Sequence, residues 1–211
     1  MLKWGSRHAD GPQVSPPAVP APADAVVTSK VFPRFLAAVG HAPAPALLDI
    51  GPVVGSNVTY FGERLACKLY VEDLYSDIEA HARRGERAAL ASFFATRLKL
   101  APESVDGILC WDLFDFLDRA AGQVLAGQLA RLLRKGGALY GSFGTTPLEL
   151  THYTKNVVLA EDSIKHRVSP ATPVTRTVLL TRDIIKMFDG LIVAESMLLK
   201  SSTRETLFRR P

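Results

Sequence analysis

Cysteine is scarce in this chain: two among 211 residues, Cys67 and Cys110. Two thiols build neither a disulfide framework nor a cysteine zinc cluster. Both lie beside apolar runs and read as buried thiols rather than a reactive pair. Long apolar runs are missing too, since none approaches the roughly 18 residues of a membrane span. The opening Met1-Leu-Lys-Trp-Gly5 has no apolar signal core, so a cytoplasmic protein without membrane contact is expected. There is little excess of charge. Lys and Arg number 25 against 21 Asp and Glu, a net +4, too small a surplus to imply a nucleic acid partner. His8, His41, His81 and His166 lack metal-ligand spacing, and no metal is expected.

What is present is an ordinary globular balance, 47% hydrophobic and 22% charged residues, in a length that suits one domain with a sizeable core. Residues 1–28 stand apart. Pro12, Pro16, Pro17, Pro20 and Pro22 alternate there with alanine and polar residues, a composition that stays extended and solvated. A disordered arm over 1–28 and a single α/β domain over 29–211 are expected. The arm would suit tethering to a protein partner, with Trp4 either the one anchoring residue or a solvated aromatic.

Within 29–211, strand-like and helix-like segments alternate. Ser29–Val39 puts Phe32, Phe35, Leu36 and Val39 on one helical face, with Pro33 tolerated in the first turn. Leu47–Ile50, Lys68–Glu72, Val105–Trp111 and Ala138–Phe143 read as strands. Ser56–Ala66, Asp77–Glu86 and Arg119–Arg134 read as helices between them, and Leu90–Phe94 as a short strand or a helix end. Such alternation predicts a doubly wound, mostly parallel sheet. Thr145–Thr177 breaks the pattern: with Pro147, Pro170 and Pro173 it reads as a long polar loop, a type that is often functional. After a short helix, Leu191–Leu199 and Thr203–Arg209 form a hairpin-like pair.

One stretch carries the chemistry: Ala46-Leu-Leu-Asp-Ile-Gly-Pro-Val-Val-Gly-Ser-Asn57. An apolar strand runs into Asp49, then into a turn bearing Gly51 and Gly55, then into a helix. This is the nucleotide-binding opening of an open α/β sheet. Glycines let backbone approach a ligand, and the helix start supplies unpaired N–H groups. Ligands of such sheets sit beyond the carboxyl ends of the strands, which aligns Gly51, Gly55, Asp73 and Asp112 along one rim.

In order and spacing these segments resemble the class I S-adenosylmethionine-dependent methyltransferases. Leu47-Leu-Asp-Ile-Gly51 is similar to that family's first motif. Tyr70-Val-Glu-Asp-Leu74 resembles the second-strand motif, Ser104 to Leu117 the fourth-strand motif, and Leu129 to Tyr140, with its double glycine, the helix leading to the fifth strand. The resemblance covers Leu47 to Phe208. It implies a seven-stranded, Rossmann-like sheet ending in an antiparallel hairpin, with S-adenosyl-L-methionine as cofactor and methyl transfer to a small molecule as activity. It further implies that an acid ending the second strand takes the ribose hydroxyls, either Glu72 or Asp73, with Asp73 in the better register. Trp111 stacks on adenine or substrate, or packs at the rim. Asp112 binds an amino group or caps the next turn, while Asp115 and Asp118 read as helix N-terminal acids. His152, Tyr153 and Lys155 lie over the expected mouth as substrate contacts or proton acceptors, or as a solvated loop.

The chain departs from that pattern at three places. Val53 replaces the middle glycine, with Pro52 before it. Ala95-Thr96-Arg97 stands where an acid near adenine is usual. Trp111–Leu117 has neither the histidine nor the Pro-Pro-aromatic signature of some members. If the chain is an enzyme, the turn is reshaped so that Val53 points outward with φ < 0. If the chain is an inactive, methyltransferase-like scaffold, Val53 fills the pocket.

Overall fold

In the computed structural model, residues 24–211 are described. The disordered arm expected over 1–28, with Trp4 as its anchor, lies for 1–23 outside the described residues. Val26–Thr28, which the sequence places in that arm, instead forms strand β1.

Helix α1 (Phe32–Val39) follows, and Ser29, three residues before it, accepts the Phe32 N–H on its Oγ at 2.9 Å. Then come β2 (Ala46–Asp49), α2 (Gly55–Leu65), β3 (Lys68–Val71), α3 (Leu74–Arg83), α4 (Leu90–Arg97), β4 (Val105–Trp111) and α5 (Arg119–Leu132). The chain ends with β5 (Leu133–Gly144), β6 (Glu149–Ala160), β7 (Ser163–Thr175), α6 (Thr181–Met187), β8 (Ile192–Leu198) and β9 (Thr203–Arg209).

The main sheet has six strands in the order β3-β2-β4-β5-β9-β8. The first four are parallel, and the β8–β9 hairpin adds antiparallel onto β5. Seven strands were expected. The shortfall lies at Leu90–Phe94, which is part of α4, with Leu90 and Phe94 on its buried face.

Both faces of the sheet are covered, which is why its central strands are apolar on both sides. Leu48, Ile50, Ile108, Cys110 and Leu139 pack with residues of α3 to α6 on one face. Leu47, Leu109, Ala138 and Tyr140 pack on the other against α1 and Phe61 of α2.

The expected polar loop 145–177 is a long two-stranded ribbon, β6–β7, with β1 added to form a second, three-stranded sheet. Its prolines fit because β1 pairs only with Ser163–Lys165. Beyond His166, whose N–H donates to Ala25 O, no described strand pairs with the outer edge of β7, so Pro170 and Pro173 interrupt no described ladder on that side. Among the described residues, no helix is long and apolar enough to cross a membrane, and no three His, Cys, Asp or Glu side chains are grouped to hold a metal ion.

Candidate functional site

The parallel strands end together at one rim, and the ribbon lies over it. Asp49 closes β2. It is 4% exposed, and its Oδ1 accepts the Gly51 N–H at 2.9 Å and the Trp111 indole N–H at 2.8 Å. Burial pushes its carboxyl up to about 6, against the pull of those two donors.

Trp111 closes β4 with φ +51, a left-handed conformation that costs a bulky residue about 1–2 kcal/mol. It is 3% exposed and packs on Phe32 and Tyr140, with ring centroids 5.8 and 5.9 Å away. In this structure the indole packs at the rim. A Cβ on Gly51 would lie 2.6 Å from Trp111 Cδ1. Gly51 is thus required here by the approach of the chain's own indole. A Cβ on Gly55 meets nothing within 4 Å, and Gly55 is exposed at the start of α2. Val53 is 60% exposed and is not among the positive-φ residues, so the turn is reshaped and Val53 points outward.

The two acids after β3 have separate partners. Glu72 Oε2 accepts from Arg97 Nη1 at 2.7 Å, while Arg97 Nε reaches Asp77 at 2.8 Å. Asp73 is the N-cap of α3: its carboxylate takes the Ser76 N–H at 3.0 Å and the Ser76 hydroxyl at 2.8 Å. Asp112 Oδ1 accepts from the Tyr75 hydroxyl at 2.6 Å.

Asp118 caps α5 through the Ala121 N–H, as its position suggests. Asp115 does not act as a helix cap. It is 5% exposed, accepts the Gly144 N–H, and forms an ion pair with Arg176 Nε at 2.8 Å. Burial pushes its carboxyl up to about 7 despite the guanidinium. A Cβ at Gly144 would fall 2.1 Å from the Arg176 guanidinium carbon, so a side chain there would displace the guanidinium from its present place.

Of the three ribbon residues expected at the mouth, Tyr153 and Lys155 line a pocket and His152 is outside its lining. The pocket has a volume of about 350 Å³ and is bounded by Pro52, Asp73, the α3 face of Ser76, Glu79 and Arg83, and Ser169 and Pro170 of β7. Tyr153 is no free proton acceptor. It packs edge-on against Tyr75 at 5.1 Å and donates its hydroxyl to Glu79 at 2.8 Å. Burial, then the Glu79 carboxylate, raises its phenol well above the usual range. His152 Nδ1 pairs with the Thr151 hydroxyl at 2.7 Å.

Three residues to which the sequence assigned no contact hold this region together. Glu79 binds the ribbon to α3, and Arg97 occupies Glu72. Asn57 joins α2 to β6, donating to Asn156 O at 2.8 Å and accepting from Val158 N at 2.9 Å. Asn57 did leave a trace: it lies four residues before Phe61, on the same buried helical face, where a polar residue needs a partner.

Residues 48–141 match a protein-family profile described as a methyltransferase domain. Three solved structures share the fold. The PH0226 protein of Pyrococcus horikoshii OT3 is 12% identical, with 80% of this chain and 82% of that one covered at a TM-score of 0.51. The CcbJ methyltransferase of Streptomyces caelestis is 17% identical, with 84% and 87% covered at 0.50. The magnesium protoporphyrin IX methyltransferase of Synechocystis PCC 6803, solved with bound S-adenosylmethionine, is 17% identical, with 86% and 77% covered at 0.50. The chain has the class I methyltransferase fold. No curated protein matches its sequence. Within this methyltransferase fold, the pocket beside Asp73 lies at the carboxyl end of β3, and the turn after β2 is packed by Trp111.

Proposed function

We propose that the protein binds S-adenosylmethionine at this rim and transfers its methyl group to a small molecule. The observation that carries the reading is the pocket of about 350 Å³ between Pro52, Asp73 and the ribbon. It lies where open α/β sheets take their ligands and is of ligand-binding size. Asp73, half-buried with lone pairs left beyond its two Ser76 contacts, is the acceptor for the ribose hydroxyls, and Pro52 and Tyr75 supply apolar walls. The cofactor would contribute an activated methyl group. The protein's share is orientation and exclusion of water: methyl transfer needs chiefly in-line approach of the acceptor, and the ribbon residues Lys155 and Ser169 face the same pocket.

A second reading, a methyltransferase-like binding or scaffold module without activity, has its own support. Trp111 packs on the glycine turn and bonds to Asp49, so in this conformation the turn, which the family resemblance places near the aminoacyl end of the cofactor, does not admit that end. Calorimetric titration of purified protein with S-adenosylhomocysteine separates the two readings: saturable heat supports the first, and no heat with no thermal shift at millimolar ligand supports the second.

A further inference from the structure

Trp111 is a bulky residue in a backbone conformation that favours glycine, set against the turn where a ligand would lie. The left-handed φ folds the indole back from the end of β4 over Gly51. Its N–H then meets Asp49 Oδ1 at 2.8 Å, the same oxygen that accepts the Gly51 N–H. The far side of the ring is sealed by Phe32 and Tyr140. A glycine without side chain and a buried carboxylate are what an ammonium-bearing ligand tail would need: close backbone approach and an anionic partner. Here one side chain of the protein takes both.

We propose that Trp111 is an internal occupant of the aminoacyl end of the site and sets its ligand specificity. This rests on the reading that the pocket takes an adenosine ligand. With the indole in place, the rim admits an adenosine carrying a short 5′ thioether. A ligand with a charged aminoacyl tail enters fully only when the indole leaves Gly51 and Asp49. The pocket beside Asp73 does not include Trp111 or Asp49 among its walls, so its nucleoside end and the turn are separable.

Two probes share the nucleoside and differ in the tail: 5′-methylthioadenosine and S-adenosylhomocysteine. Calorimetry of both against the full chain is expected to show 5′-methylthioadenosine binding at least as tightly as S-adenosylhomocysteine. In Trp111→Phe, which keeps a ring but loses the N–H donor, S-adenosylhomocysteine should gain at least tenfold while 5′-methylthioadenosine changes less than threefold. The unmutated site offers a second readout that needs no core substitution. The chain has two tryptophans, so in a Trp4→Phe background Trp111 is the single indole fluorophore. Its emission should shift to the red with S-adenosylhomocysteine and stay fixed with 5′-methylthioadenosine. Tighter binding of S-adenosylhomocysteine than of 5′-methylthioadenosine by unmutated protein, with no emission change, overturns the proposal and leaves the cofactor reading standing. Failure of both ligands to bind either protein overturns both.

Discussion

Glu79 is the point at which the ribbon is fastened over the rim, and its replacement gives a sharp test. Its two oxygens take four donors: Thr172 N–H at 2.9 Å, Thr172 Oγ1 at 2.9 Å, Tyr153 OH at 2.8 Å and Arg83 Nε at 2.7 Å. Three of the four come from the ribbon. Burial alone would raise the carboxyl, but the Thr172 N–H, the Tyr153 hydroxyl, Arg83 and the Thr172 hydroxyl outweigh it and hold it at about 2. Hydrogen bonds to a charged group contribute roughly 1.5–3 kcal/mol each and do not add fully. Glu79→Ala strips the partner from Tyr153, which is 5% exposed, and a net loss of about 2–4 kcal/mol follows. For a domain of this size each kcal/mol moves Tm by about 2–4 °C, so a fall of roughly 5–15 °C is expected.

The sign with pH is fixed by the lowered carboxyl. The folded state holds the proton more weakly than the unfolded state, so this stabilisation is complete above about 4.5 and is lost as pH falls toward about 2. Asp49 and Asp115 act oppositely: their raised carboxyls cost stability as pH climbs from about 4 to about 6 and 7. The comparison therefore has to be a difference between wild type and Glu79→Ala, measured by urea unfolding from pH 2.5 to 7. The difference should be largest at neutral pH and shrink toward acid. A pH-independent difference, or a Tm change under 2 °C, would refute the assigned role of Glu79.

Other substitutions probe the remaining contacts. Asp73→Asn keeps the α3 cap but should weaken S-adenosylhomocysteine binding by about 1–3 kcal/mol, as expected for a charge-assisted pair; a loss in Glu72→Ala with none in Asp73→Asn would move the role to Glu72. Asn57→Ala leaves Val158 N and Asn156 O without their partner and should cost about 2–3 kcal/mol in chemical unfolding, an effect absent if α2 does not carry the ribbon. Val53→Gly should change ligand affinity little and lower stability by about 0.5–1 kcal/mol through added freedom of the unfolded chain. A large gain in affinity from that change would mean that Val53, and not Trp111, obstructs the turn.

The parts of the fold that were legible in the sequence are those governed by local pattern. The apolar runs at Leu47, Val105 and Ala138, the glycine turn and the closing hairpin each announce themselves within a dozen residues, and the parallel sheet follows from their alternation. The ribbon was hidden because its strands are amphipathic only in part and contain prolines, and its tolerance for those prolines depends on how far β1 reaches along β7. Leu90–Phe94 was ambiguous for another reason: a run of five residues has too little length for period 2 and period 3.6 to separate. At the candidate site, Asp49, Gly51, Asp73 and Trp111 were named from the sequence, but the contacts that fasten the ribbon over them were not. Asn57 meets Asn156 across 99 residues of sequence, and Glu79 meets Thr172 across 93. The positive φ of Trp111 has no local sequence signal, and it turns a rim residue into the one that packs the turn.

We propose above all that S-adenosylmethionine binds at this rim. Isothermal titration of S-adenosylhomocysteine into the purified full chain tests it most directly. Weak, saturable binding at one site per chain, with a matching rise in Tm, is the predicted result. Absence of heat and of any thermal shift at millimolar ligand would contradict it.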